Sequence, residues 1–336
     1  MTDTQPKPHV TLVLRCPRPG IHSIERLFRT LEPLISRDYH CEFLTLPKTR
    51  ISLRNLIANI AHVYFHSTDV LHITGDAHYL AIPTRKKTIL TIHDCERLRS
   101  FKGIKRAIYK LVWFKLPCIF ARRITVISES TRKELEKEVG QLGEKLVVIE
   151  NCVTLSTAPT NREFDSITPS ILQIGSARLK NLDGLIKAVR GLKCKLHIVG
   201  AISDSNLKLL NEYGVLFKNE SDVSDERMRA IYHENDILFF ASHSEGFGLP
   251  ILEAQSCGVP VITSSKSSMP EVAGGAAILV NPEDPLEIRA AITKLITDHE
   301  SRRAMVEKGF LNIRRFQPEI IAAKYCDLYR EMLETR

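Results

Sequence analysis

The chain has 336 residues, 43% of them hydrophobic, which gives room for two ordinary domains with real cores. Its formal charge of +8 points to anionic partners such as nucleotide phosphates, lipid headgroups or nucleic acid, without choosing among them. Eight cysteines stand singly, mostly inside apolar runs, with neither zinc nor thioredoxin spacing, and neither the polar stretch 1–8 nor any later segment offers a signal core or a membrane span; the expectation is a reduced, cytoplasmic protein.

Residues 10–14 (VTLVL) read as a first strand, followed by the basic turn 15–20 and a helix start at 21–28. Gly20 in that turn lets backbone approach a ligand closely, or simply makes the turn tight. Strands follow at 41–46, 70–74 and 88–92, with a helix at 53–65. The strand at 88–92 ends in His93-Asp94, a polar pair at the carboxyl end of a buried strand, where open α/β sheets place chemistry. His72, alone on a strand, reads as core or wall. Residues 97–123 carry Lys102, Lys105, Arg106, Lys110 and Lys115 interleaved with Ile104, Ile108, Leu111 and Phe114, the pattern of one amphipathic helix with a cationic face. It is either an ordinary surface helix or one that lies on an anionic membrane. A strand at 124–127, a helix capped at Ser128 or Ser130 and a strand at 146–149 close this half, and the polar, aperiodic stretch 156–168 is the linker candidate.

The second half repeats the rhythm, with strands at 171–175, 196–200 and 214–217. Between the first of these and the helix at 182–189 lies a basic loop with Arg178 and Lys180, where a lysine can neutralise a leaving diphosphate without a metal ion. The organising stretch is 236–271, DILFFASHSEGFGLPILEAQSCGVPVITSSKSSMPE. A buried strand at 237–241 runs into a glycine turn, a helix opens near Leu249-Pro250, and a strand starts at Val261. The helix mouth favours a phosphate, while Glu245 in the turn and Glu253 inside the helix can accept hydrogen bonds from sugar hydroxyls. The alternative is a turn carboxylate and a solvated helix carboxylate. Helices from 285 and 301 and a final helix at 317–336 complete the chain.

The run Ser244-Glu245-Gly246-Phe247-Gly248-Leu249-Pro250-Ile251-Leu252-Glu253-Ala254, with residues 258–262 and 270–272 after it, resembles the signature of the family 4 retaining glycosyltransferases of the GT-B fold. The resemblance implies an α/β protein of two Rossmann-like domains facing a cleft: 1–160 on the acceptor side, 169–316 holding the nucleotide sugar, and 317–336 as a helix crossing back to the first domain. It implies that Glu245 lies by the donor sugar, that Glu253 binds the ribose, and that the backbone of Gly246, Phe247, Gly248 and Leu249 lies close to sugar and phosphates. Lys180 and Arg178 correspond to the diphosphate-binding pair, His93 to a histidine reaching the transferred sugar, and Gly20 to a loop facing the catalytic cleft.

The expected reaction is transfer from a nucleoside-diphosphate sugar to an acceptor hydroxyl with retained configuration, with no metal, no cofactor and no nucleic-acid partner. The base, the sugar and the acceptor are not written in the sequence. The competing reading is a non-catalytic subunit on the same scaffold, using the cleft for nucleotide-sugar binding or residues 97–123 for membrane docking.

Overall fold

The structure, a computed structural model, describes residues 6–16, 23–48, 50–66, 69–84, 87–155, 159 and 162–334. Two compact units emerge, Met1–Cys152 with Pro318–Arg336, and Val153–Gln317. The division falls at Cys152, ahead of the polar stretch 156–168. Within that stretch, Asp165 donates its N–H to Asp236 (3.1 Å) and Arg162 pairs with the same carboxylate (3.1 Å), which ties these residues to the second unit.

The first unit is built on β1 (His9–Leu14), β2 (His40–Thr45), β3 (Val70–Ile73), β4 (Lys87–Ile92), β5 (Arg123–Val126) and β6 (Leu146–Val148). They form one parallel sheet in the order β2-β1-β3-β4-β5-β6. The inner strands are continuous apolar runs because helices cover both faces of such a sheet; every residue of β3 is buried. His72 belongs to this core, its ring nitrogens 2.7 Å from Tyr329 Oη and 2.7 Å from Thr91 Oγ1.

The last helix, Pro318–Glu334, belongs to this unit as expected. Tyr325 packs on Phe28 and Tyr329 on Tyr39, with ring centroids 5.7 and 5.6 Å apart. The Tyr39 hydroxyl donates to the carbonyl of Cys326 (2.9 Å).

Residues 97–123 do not form the single helix their pattern suggests. The segment is Glu96–Arg99, then Gly103–Lys110, then a π-helical turn Leu111–Lys115, then Leu116–Phe120. Pro117 is the physical reason for the π turn: it has no N–H to give to the carbonyl of Trp113 four residues back. The Leu116 N–H reaches instead to Leu111, five residues away. The sheet side is held by Trp113, Phe114, Pro117 and Cys118, while Ile104 (77% exposed), Ile108 and Leu111 face outward with the cations. No helix among the described residues is long and apolar enough to cross a membrane.

The second unit contains β7 (Ser170–Ile174), β8 (Lys195–Val199), β9 (Leu216–Glu220), β10 (Ile237–Phe240), β11 (Val261–Ser264) and β12 (Ile278–Val280). Its parallel order is β12-β11-β10-β7-β8-β9. β9 starts two residues later than expected, because Gly214 adopts a left-handed φ of 60° that closes the preceding helix. β10 and β7 are direct neighbours, with Phe239 opposite Gln173, so the loops leaving their carboxyl ends lie side by side. Those are the basic loop and the glycine turn.

Candidate functional site

In the second unit the basic loop forms a short 3-10 turn, Arg178–Lys180, that presents its lysine to the glycine turn. Lys180 Nζ lies 2.7 Å from Glu245 Oε1 and 4.9 Å over the ring of Phe240. Three neighbours hold the loop in place. Gln173 donates to the carbonyls of Gly175 (2.9 Å) and Lys180 (3.0 Å). Asn181, with φ of 59°, donates to the carbonyls of Ala241 (3.1 Å) and Pro282 (2.7 Å). The His243 N–H donates to Leu179 (2.8 Å), binding the two loops together. Arg178, by contrast, is exposed and has no part in the Lys180–Glu245 contact.

The glycine turn is fixed from below by Ser268, whose hydroxyl donates to the carbonyls of Glu245 (3.1 Å) and Phe247 (2.7 Å). Gly248 caps the helix Leu249–Cys257 at φ 117°, and an added Cβ there would meet Ile251 at 3.1 Å. Pro250 has no N–H and Ile251 gives its own to Gly248 (3.0 Å). The anion-binding capacity of this helix mouth therefore narrows to the amides of Gly248 and Leu249. Phe247 is a packing residue in its side chain, 4% exposed and edge-on to Phe316, so only its backbone and that of Gly246 stand at the turn.

Glu253 is 5% exposed and accepts a hydrogen bond from the Tyr232 hydroxyl at 2.7 Å. A solvated helix carboxylate is thus excluded. Tyr232, Gln173, Asn181 and Ser268 carried no signal in the sequence, since each acts through a partner on another element. Only the polar character of Gln173 within an apolar strand could have flagged one of them.

In the first unit His93 stands at the end of β4, its Nε2 2.8 Å from the carbonyl of Thr74. A carbonyl only accepts, so Nε2 carries the hydrogen and Nδ1 is left as an acceptor. Burial holds its pKa below the ordinary histidine value, which keeps the ring neutral. Asp94 accepts the N–H of Glu96 (2.9 Å) and steadies the turn after β4. His93 lines a cavity of about 300 Å³ with Asp76, His78 and Asp94 among its other walls. Arg15 pairs with Glu25 (2.8 Å) and Asp76 (3.2 Å) at its edge. Gly20 and Arg18 lie outside the described residues.

Among the described residues one cluster, His197, Glu220 and Glu234, is compact enough to share a cation. Arg227 already spans it, 2.7 Å from Glu220 and 2.5 Å from Glu234, and Lys218 lies 2.6 Å from Glu220. The cluster is an ion-pair network.

Comparison with known proteins adds to this geometry. The profile described as "Glycosyltransferase Family 4" matches residues 8–157, and that described as "Glycosyl transferases group 1" matches residues 160–311. The O-antigen chain mannosyltransferase B of Escherichia coli is 36% identical over 108 residues, a stretch covering 32% of this chain and 28% of that protein. Among solved structures, the sucrose-phosphate synthase of Thermosynechococcus elongatus superposes with a TM-score of 0.81 at 16% identity, covering 98% of this chain and 100% of that one. Anabaena Alr3699/HepE, solved with UDP and glucose, gives 0.78 at 16% identity over 96% of this chain and 100% of that one.

Proposed function

The chain belongs to family 4 of the glycosyltransferases and has the GT-B fold, and on that premise we propose that it moves a glycosyl group from a nucleoside-diphosphate sugar to an acceptor hydroxyl with retention of configuration and without a metal ion. The observation that carries this reading is the Lys180–Glu245 pair, held at 2.7 Å beside a glycine-capped helix mouth. Before the donor arrives Glu245 parks the ammonium; the incoming diphosphate then competes for it. As the bond from the anomeric carbon to the diphosphate oxygen breaks, negative charge grows on that oxygen, and Lys180 with the amides of Gly248 and Leu249 stabilises it. Glu245 positions the sugar and Glu253, braced by Tyr232, takes the ribose hydroxyls. The acceptor oxygen attacks from the face the diphosphate leaves and gives its proton to the departing diphosphate oxygen, so no protein nucleophile is assigned. In the first unit His93 offers a neutral acceptor nitrogen, and in the second Arg178 supplements Lys180 by swinging in from solvent.

A relative named as an O-antigen chain mannosyltransferase, and a structural neighbour solved with UDP and glucose, support a nucleotide-sugar donor and glycan synthesis. The exposed Ile104, Ile108 and Ile119 among lysines support placement at the inner face of an anionic membrane, which sedimentation with phosphatidylglycerol vesicles tests.

The deciding experiment is a donor panel. Thermal stabilisation and slow hydrolysis are measured with UDP-, GDP- and ADP-sugars, with and without EDTA. One base should stabilise the chain and be turned over regardless of chelator. Binding without turnover across acceptor extracts would favour a non-catalytic sensor, and no binding by any sugar nucleotide would sink the proposal.

A further inference from the structure

The 300 Å³ cavity in the first unit has a chemistry of its own, and its size falls in the range of small-ligand sites, roughly 300–1,000 Å³. Its shape depends on the π-helical turn. Because Pro117 offers no N–H to the carbonyl of Trp113, that carbonyl is available to His78, whose Nδ1 donates to it at 2.8 Å. The indole N–H of the same Trp113 donates to the backbone carbonyl of Asp76 (3.0 Å). One turn thus sets the position of two wall residues.

The tautomers follow. His78 carries its hydrogen on Nδ1, and His93 carries its own on Nε2. His78 is 5% exposed, and among the described residues its Nε2 has no protein partner; nor has Nδ1 of His93. Burial lowers the pKa of both rings, so both nitrogens are bare acceptors at neutral pH. Among the described residues of the wall, Asp76, Asp94 and Glu96 add carboxylates and Arg97 a guanidinium, with Arg15 paired to Asp76 beside it. A lining so rich in acceptors satisfies hydroxyl donors and repels phosphate.

The adjoining recess that shares Asp76 and Arg97 holds only about 50 Å³. Its Arg15 is already matched by Glu25 and Asp76, and Lys48 and Arg50 are exposed at its rim. Tyr109 and Phe114 give the larger cavity an apolar wall, the latter edge-on to His78 at 5.3 Å.

We propose that this cavity binds a neutral, hydroxyl-rich ring, a sugar residue of the acceptor, and discriminates against its phosphorylated counterpart. As an acceptor assignment it rests on the transferase reading above; as a sugar site it does not. His78 is the residue that touches the ring hydroxyls, and Trp113 is a positioning residue acting through His78 and Asp76.

The test titrates the full chain, without donor, with methyl glycosides of mannose, glucose and galactose and with the 6-phosphates of the same sugars at 150 mM salt, read by calorimetry. At least one neutral glycoside should bind tenfold or more tighter than its phosphate. The isosteric double variant Asp94→Asn, Glu96→Gln, on the exposed rim, should narrow that ratio at least threefold with unchanged melting temperature. His78→Gln, which can keep an acceptor near the Nε2 position, should retain more affinity than His78→Phe. Equal or tighter binding of the phosphates overturns the inference, as does binding of no glycoside by a chain that still binds a sugar nucleotide. Glycoside binding in a chain that binds no sugar nucleotide would support the sugar site while sinking the donor reading, so the two failures are distinguishable.

Discussion

Gly175 offers a way to move Lys180 without removing its charge. It sits at φ 82°, and an added Cβ would lie 2.9 Å from Lys180 Cγ and 3.2 Å from its Cδ and Cε. Gly175→Ala therefore does two things: it strains a left-handed backbone by about 1–2 kcal/mol, and it pushes the lysine stem off its path to Glu245. Gly191 in the same unit supplies the control, with φ 73° and nothing within 4 Å of an added Cβ. Both alanine variants should lose comparable stability, roughly 2–8 °C in melting temperature for a unit of this size. Only Gly175→Ala should lose function. A displacement of about 1 Å at a charge-stabilising group is enough for a rate loss on the order of 100-fold. The assay is turnover of whichever sugar nucleotide stabilises the wild-type chain, with melting curves taken on the same samples. Should both variants turn over equally well, or both decline in step with their melting temperatures, Lys180 would have no role that depends on its position, and the account of the leaving diphosphate would fall with it.

Three further expectations address other parts of the fold. Glu253→Gln keeps an acceptor for Tyr232 but loses the charge, so donor affinity should fall about 10- to 100-fold with melting temperature nearly unchanged; equal affinity by calorimetry would remove Glu253 from the ribose. His72, fully buried, is pushed down to about 3, chiefly by burial and secondarily by His93, so the unfolded chain binds a proton near pH 6.5 that the folded chain refuses. Its stabilising contribution is present above pH 6.5 and is lost as pH falls below it, by about 2 kcal/mol at pH 5; urea unfolding of wild type and His72→Gln at pH 7 and 5 should show a correspondingly smaller acid loss in the variant. Pro117→Ala restores an N–H that can take the Trp113 carbonyl away from His78, and because Trp113 is the only tryptophan in the chain its emission should shift; an unchanged spectrum would mean that the π-turn does not depend on the proline.

Features written locally were legible. The buried strands announced themselves as apolar runs such as ILFF, and the helix after Gly248 announced itself by glycine, proline and spacing; both are statements about neighbouring residues. Lys180 and Glu245 were legible as separate residues because each stands in a loop after a strand, and adjacency of β7 and β10 then brings the two loops together. Phe247 was legible through its backbone alone; that its ring packs on Phe316 depends on a partner far along the chain.

The segment 97–123 misled. Period counting treats every apolar residue as facing one neighbour, and so it pooled Ile104 and Ile108, which are exposed, with Phe114, which is buried. The break between them is set by Pro117, and the effect of that proline is felt not where it stands but at the carbonyl of Trp113 and, through it, at His78, which is 35 positions from Trp113 in the chain. A backbone acceptor left without its helical donor must find another partner, and here it finds a histidine whose remaining nitrogen opens on a cavity. The helix irregularity that spoils the pattern is thus the same feature that builds the wall of the site.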